Sequence, residues 1–200
     1  PLNIIWYDTT MDIISDDKKE SVNRIREVIE KEVFVTKEKE RIISQNATES
    51  RWIFDFRRVL LKPDVLNDLG EIFWEKFKNK LPFQVGGIEV AAIPLVTALI
   101  LKLKHKGASS NGFFIRKSRK KYGLLRMIEG AVTDDKIILV DDTIGSGKSF
   151  IRQVEVMESL GKKVDTVFSI LRYRDLDYYK YFHDKEIRVE SLFTLDGFSD

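Results

Sequence analysis

Residues 137–150 read IILVDDTIGSGKSF, and their interpretation decides the fold. The apolar run from Ile137 to Val140 shows no alternation, which predicts a strand buried on both faces. Asp141 and Asp142 follow where such a strand would leave the sheet. Thr143, Ile144, Gly145, Ser146, Gly147, Lys148 and Ser149 then make a short hydroxyl-rich loop, and helical spacing begins at Phe150. A tight turn between a strand and a helix N-terminus presents unpaired backbone N–H groups and the positive end of a helix dipole, which together cradle phosphate. The adjoining acids suit sugar hydroxyls, because a charged acceptor strengthens the hydrogen bonds those hydroxyls donate. Gly147, Lys148 and Ser149 imitate the end of a nucleoside-triphosphate P-loop. That motif also requires a glycine at the position held by Asp142, so it is excluded.

On the C-terminal side of this stretch, Gly161 stops the helix and 164–171 form another buried strand. A helix is expected over 175–183 and a closing strand over 187–195. On the N-terminal side, 112–115 read as a short strand and Pro94 opens a helix running to Leu103. Residues 83–88 form a strand, with Gly86 and Gly87 expected to end it in a loop that exposes backbone. Pro63 and Asp64 open a helix carrying Leu66, Leu69, Phe73 and Phe77 at core spacing. Residues 52–56 read as a strand of a hairpin or hood, and Val22, Ile25, Ile29 and Val33 mark one face of an earlier helix from Asp16. The charge-rich run 36–41 belongs on a solvated turn, and 1–15, with Ile4, Ile5, Trp6 and Tyr7, on an apolar arm preceding a single domain over 16–200.

Strands alternating with helices over so long a stretch predict an α/β fold around a parallel sheet. Ligands in such sheets bind beyond the carboxyl ends of the strands. That rule gathers four loops: 86–92, 116–123, 141–149 and the one after Leu171.

At 200 residues the chain suits one domain with a sizeable core. Its 43% apolar and 33% charged content is that of a soluble globular protein, and a net charge of +2 is too small to make nucleic acid the main partner. The lack of cysteine excludes disulfides, thiolate metal sites and a cysteine nucleophile. No apolar run approaches the roughly 20 residues of a membrane span, and the first residues lack the pattern of a signal peptide. A cytoplasmic protein is expected. His105 and His183 stand alone, Tyr178, Tyr179 and Tyr181 are expected to pack, and Asp134 and Asp135 form a turn.

The stretch 137–150 resembles the phosphoribosyl-pyrophosphate (PRPP) motif of type I phosphoribosyltransferases, which runs from apolar residues through two acids to a loop ending Thr-Gly-x-Thr. By that resemblance Asp141 and Asp142 hold the ribose 2′- and 3′-hydroxyls, while Thr143, Gly145, Ser146, Gly147, Lys148 and Ser149 hold the 5′-phosphate. The run RKSRKKYG at 116–123 holds five cations in its first six residues. Physically it could be a nucleic-acid patch, a solvated face, or a loop closing over a departing pyrophosphate. It resembles the mobile catalytic loop of orotate phosphoribosyltransferases, matching at Arg116, Lys117, Lys120 and Gly123, with Tyr122 where that family has histidine.

Further likeness to the orotate branch lies in 50–60, similar to the family's hood, with Phe54 at the position of an aromatic that stacks near the base. Residues 86–94 resemble the pyrophosphate loop, assigning Glu89, Val90, Ala91 and Ala92 to the leaving group. Arg172 matches a strand-end arginine that grips the orotate carboxylate. Altogether the likeness runs from about Thr48 to Leu195.

The resemblance implies a Rossmann-like core with a hood from about 40–60 and 187–197. It also implies transfer of ribose 5-phosphate from PRPP to a base, orotate first, with release of pyrophosphate and no protein nucleophile. Mg²⁺ would be held by PRPP and water without direct protein ligands. The partner would be a second copy of the chain, each basic loop reaching its neighbour's site. Three departures support alternatives: Gln45-Asn46-Ala47 for Lys-Ser-Gly, Gly145 for a threonine that contacts the base, and Tyr122. The alternatives are a PRPP- or nucleotide-binding sensor in a larger assembly, or a phosphoribosyltransferase for another base.

Overall fold

The computed structural model describes residues 6–8, 16–36, 42, 52–118 and 127–195, with the backbone alone at 6–8, 16 and 17. Its elements begin with β1 (Trp6–Asp8), α1 (Asp16–Val28, prolonged by a π turn over Ile29–Val33), β2 (Phe34–Thr36) and β3 (Trp52–Phe54). There follow α2 (Pro63–Phe77), β4 (Phe83–Ile88), α3 (Ala92–His105), β5 (Gly112–Ile115) and β6 (Ile128–Gly130). The chain continues through β7 (Lys136–Ile144), α4 (Lys148–Ser159), β8 (Val164–Arg172), α5 (Lys180–Asp184) and β9 (Arg188–Leu195).

The unalternating run at 137–140 lies inside a sheet ordered β1-β9-β8-β7-β4-β5-β6. Its lack of alternation has a direct cause, because both faces are covered. Ile138 and Val140 pack with Val22, Leu69, Phe73 and Leu95 from α1, α2 and α3. Ile137 and Leu139 pack with Phe150, Val154 and Met157 of α4 and Phe182 of α5. The five strands from β9 to β5 are parallel, as expected, and only the edges β1 and β6 are antiparallel.

At the ends of the chain the apolar arm finds its place on the main body, and one expectation is corrected. Residues 6–8 pair with 193–195 and cap the open edge of β9, so the described part of the apolar arm belongs to the sheet. Residues 188–195, expected in the hood, run parallel to β8 with Leu192, Phe193 and Leu195 buried. The alternative, leaving β8 as a bare edge, would strand its backbone donors and acceptors. The hood that remains is the pair β2–β3, with Phe34 opposite Phe54.

Gly86 and Gly87 sit within β4 and do not end it. A Cβ on Gly86 would lie 2.1 Å from the Phe113 ring, and one on Gly87 would lie 2.4 Å from Ala92 Cβ and 2.7 Å from the Val140 carbonyl oxygen. Both are glycine because neighbouring groups occupy the space. The loop beyond is therefore only Glu89 to Ala91, and Pro94 falls in the first turn of α3, where its missing N–H costs nothing.

From β4 the chain crosses by α3 to β5, and from β7 it crosses by α4 to β8 on the opposite side. The strand order thus reverses between β4 and β7, and a crevice opens beyond their carboxyl ends.

Candidate functional site

That crevice is a cleft of about 670 Å³. Its floor is the end of β7 and the turn into α4, and its sides are the hood, the loop after β4 and Lys117. The acids stand on the strand and not past its end, a further correction. Both β7 and β8 are long, so the ladder continues with Asp141 opposite Ser169 and Ile144 opposite Arg172. Asp141 is 7% exposed and Asp142 is half-buried. Ser149 Oγ donates to Asp141 Oδ2 at 3.1 Å, and the Asp142 N–H donates to Asp141 Oδ1 at 3.0 Å.

The turn between β7 and α4 shrinks to Gly145, Ser146 and Gly147, with Lys148 and Ser149 already in the first helical turn. Gly147 has φ +78°, a backbone state that costs an L-residue about 1–2 kcal/mol. The Tyr179 hydroxyl lies 3.0 Å from the carbonyl oxygens of both Ile144 and Gly145 and braces the turn from behind. The N–H groups opening α4 lack intrahelical acceptors and belong to residues that line the cleft, an arrangement that receives an anion.

Charge in the cleft is unevenly matched. Burial, then the neighbouring Asp142 charge, pushes the Asp141 carboxyl up to about 7, against the pull of the Asp142 N–H and the Ser149 hydroxyl. Burial raises Asp142 also, opposed by the Thr143 N–H and by the Arg57 guanidinium. Arg57 is held by Asp55 Oδ1 at 2.7 Å. Two acids side by side, one buried and one half-buried, are costly even with these donors, and vicinal hydroxyls would supply further ones.

The sign of the pH dependence follows. Asp141 keeps its proton well above the ordinary value of 3.8, so from about pH 4 to about pH 7 the folded chain binds more protons than the unfolded one. Stability from this group is therefore lost as pH rises through that window. The thermal midpoint of the unliganded protein should be lower near about pH 7.5 than near about pH 5.5, and Asp141→Asn should flatten the slope. Calorimetric scans giving the same slope for both proteins would remove the assignment.

No family model matches the chain. The orotate phosphoribosyltransferase of Bradyrhizobium sp. (strain ORS 278) is 28% identical over 159 residues, covering 77% of this chain and 84% of that one. The orotate phosphoribosyltransferase of Leptospira biflexa serovar Patoc (strain Patoc 1 / Ames) is 33% identical over 127 residues, 62% of this chain and 69% of its own. The chain belongs to the orotate phosphoribosyltransferase family. Among solved structures, Mycobacterium tuberculosis H37Rv orotate phosphoribosyltransferase in complex with PRPP superposes with a TM-score of 0.63 at 20% identity, covering 93% of each chain.

The orotate phosphoribosyltransferase residues expected from sequence divide into those the structure gathers and those it does not. Asp141, Asp142, Thr143, Gly145, Ser146, Gly147, Lys148 and Ser149 all line the cleft. So do Glu89, Val90, Ala91, Lys117 and Phe54, the last only 4% exposed and also part of the core. The Lys117 N–H donates to Glu89 Oε1 at 2.8 Å, tying the loop after β5 to the loop after β4.

Three expected residues lie elsewhere. Ala92 is fully buried against Gly87 because α3 starts there. Arg116 continues the β5–β6 ladder through its N–H to the Met127 carbonyl, and its guanidinium turns to Glu129 at 3.5 Å. Arg172 is 7% exposed, with its guanidinium on Ser191 Oγ at 3.4 Å and the Arg174 carbonyl. Side chains alternate along an extended strand, so it is Tyr173 that faces the cleft. Lys120, Tyr122, Gly123 and Gln45-Asn46-Ala47 lie outside the described residues.

Asp55, Arg57 and Tyr173 line the cleft without having been picked out from sequence, and Tyr179 supports it. Asp55 and Arg57 carried a signal, two opposite charges two residues apart beside the aromatics Trp52, Phe54 and Phe56. Among the described residues, no helix is long and apolar enough to cross a membrane, and no cluster of three or more His, Asp or Glu side chains could hold a metal ion.

Proposed function

We propose that the chain transfers the ribose 5-phosphate group of PRPP to orotate and releases pyrophosphate. The observation that carries this is the placing of Asp141 and Asp142 beside a three-residue turn into α4, in one cleft with Lys117. The 5′-phosphate meets the amides and hydroxyls of 145–149, and the ribose 2′- and 3′-hydroxyls donate to the two acids. The base lies against Phe54 of the hood and Tyr173, with the pyrophosphate directed to the Glu89–Ala91 loop.

As the C1′–O bond breaks, positive charge grows on the ribose ring and negative charge on the leaving group. The carboxylates answer the first, and Lys117 and, by resemblance, Lys120 answer the second. The PRPP oxygens are hard donors that would hold Mg²⁺ with most of its water retained and without direct protein ligands. When bound, Mg²⁺ neutralises charge on the departing pyrophosphate. The chain works as a homodimer, the basic loop of one copy reaching the site of the other.

The test is pyrophosphate release from PRPP and Mg²⁺ with orotate or a panel of other bases. Release with orotate supports the proposal. Release only with another base keeps the reaction and changes the substrate, and PRPP binding without release makes the chain a sensor.

A further inference from the structure

We infer that Tyr179, from outside the cleft, is a positioning residue for the phosphate turn, its hydroxyl aiming the N–H groups of Gly145 and Ser146 at the 5′-phosphate. The inference rests on the nucleotide-site reading above.

A trans peptide unit points its C=O and its N–H in opposite directions, so fixing one fixes the other. The bonds joining Ile144, Gly145 and Ser146 are trans. The Tyr179 hydroxyl donates to the Ile144 and Gly145 carbonyl oxygens at 3.0 Å each, one proton shared between two acceptors. The Gly145 and Ser146 N–H groups therefore point away from Tyr179. That side is the cleft. Tyr179 is 3% exposed, clustered in the core with Ile144, Phe150 and Phe182, and does not line the cleft, whereas Gly145 and Ser146 do. Among the described residues neither N–H has an acceptor. Two free donors held side by side suit the oxygens of a phosphate.

The turn needs this support because its own backbone does not supply it. The Ile144 carbonyl also accepts from the Tyr173 N–H at 3.0 Å, so the strand ladder already fixes that peptide unit. The Gly145 carbonyl has no second partner among the described residues, and the freedom of glycine lets the Gly145–Ser146 unit turn over at little cost. Turned over, it would set a carbonyl oxygen against the phosphate. The tyrosine ring is itself held, with Tyr178 edge-on at 5.4 Å and Phe182 at 6.3 Å. Burial pushes its phenol up to about 12, so it keeps the proton that it donates.

Amide ¹H–¹⁵N spectra of the full chain, recorded while ribose 5-phosphate is titrated in, read the two donors directly. In the wild type the Gly145 and Ser146 amide protons should move downfield as the ligand binds. In Tyr179→Phe, which keeps the ring and its packing, the Ser146 shift should be lost and ribose 5-phosphate should bind about 3- to 10-fold more weakly. Phe182→Leu loosens the same backing behind Gly147 without removing a hydroxyl. It should lower the thermal midpoint and leave ribose 5-phosphate affinity within about 2-fold. Unchanged shifts and affinity in Tyr179→Phe overturn the inference, and so does an equal loss in Phe182→Leu, which would make the effect one of packing. A wild-type crystal soaked with ribose 5-phosphate tests the same point without any variant. Phosphate oxygens should meet the Gly145 and Ser146 N–H groups with Tyr179 still on both carbonyls, and a Gly145 carbonyl turned toward the phosphate overturns the inference. A phosphate seated on the turn with Tyr179 unneeded sinks this inference alone. No response of either amide in the wild type sinks the phosphate-site reading and the inference with it.

Discussion

Lys117→Ala should lower turnover of PRPP and orotate by about 100- to 1,000-fold, while PRPP still binds with little change. The size follows from what the lysine meets. A positive charge over a pyrophosphate matters more as the C1′–O bond lengthens than while PRPP is intact, because the leaving group then gains a further negative charge. The selectivity of the loss follows from how the residue is held. Its backbone N–H is fixed by Glu89 and its carbonyl accepts from Arg152, so truncating the side chain removes the charge without releasing the loop. Arg116→Ala is the internal comparison. Its guanidinium is spent on Glu129 and the Ser118 carbonyl, away from the cleft, so its loss should cost under about 10-fold. Single-turnover rates and PRPP titrations separate the two effects. Unchanged turnover in Lys117→Ala would remove the leaving-group role, and a larger loss in Arg116→Ala would mean that the loop turns over on closing.

Most of the sheet was legible because burial on two faces leaves a mark in the chain itself. Residues 137–140 could only be a covered strand, and the helices flanking them carried their apolar residues at helical spacing. What was illegible depended on a neighbour far away in sequence. Asp141 and Asp142 read as loop residues because carboxylates rarely occupy a parallel strand, and only the length of β8 keeps them on the ladder. Gly86 and Gly87 read as a loop because nothing local announces that Phe113, Ala92 and the Val140 carbonyl will fill their space. Arg172 and Tyr173 differ by one position, and a one-residue change of facing at the end of β8 decides which enters the cleft. The pairing of 6–8 with the last strand has no local signal at all.

Asp142→Asn should move activity and stability in opposite directions. Asparagine keeps the shape and an oxygen acceptor but not the charge, so a ribose hydroxyl would still find a partner, only a weaker one. Hydrogen bonds to a charged group contribute about 1.5–3 kcal/mol against about 1 for a neutral one, and the lost charge also faced the growing positive charge on the sugar ring. A fall in kcat/KM of about 100-fold or more is expected. The unliganded fold should gain. Asp142 is the second-largest cause of the raised Asp141 carboxyl, after burial, and neutralising it removes a repulsion that the empty site carries. If about 1 kcal/mol is recovered, the thermal midpoint near neutral pH rises by about 2–4 °C for a chain of this size. At about pH 5 the gain should nearly vanish, since Asp141 is then already protonated in the fold. Loss of activity with an equal loss of stability would mean that the acids hold the structure together and that no sugar need ever come between them. A rise in stability confined to higher pH, together with lost turnover, is the outcome that only a site built to be completed by its ligand can give.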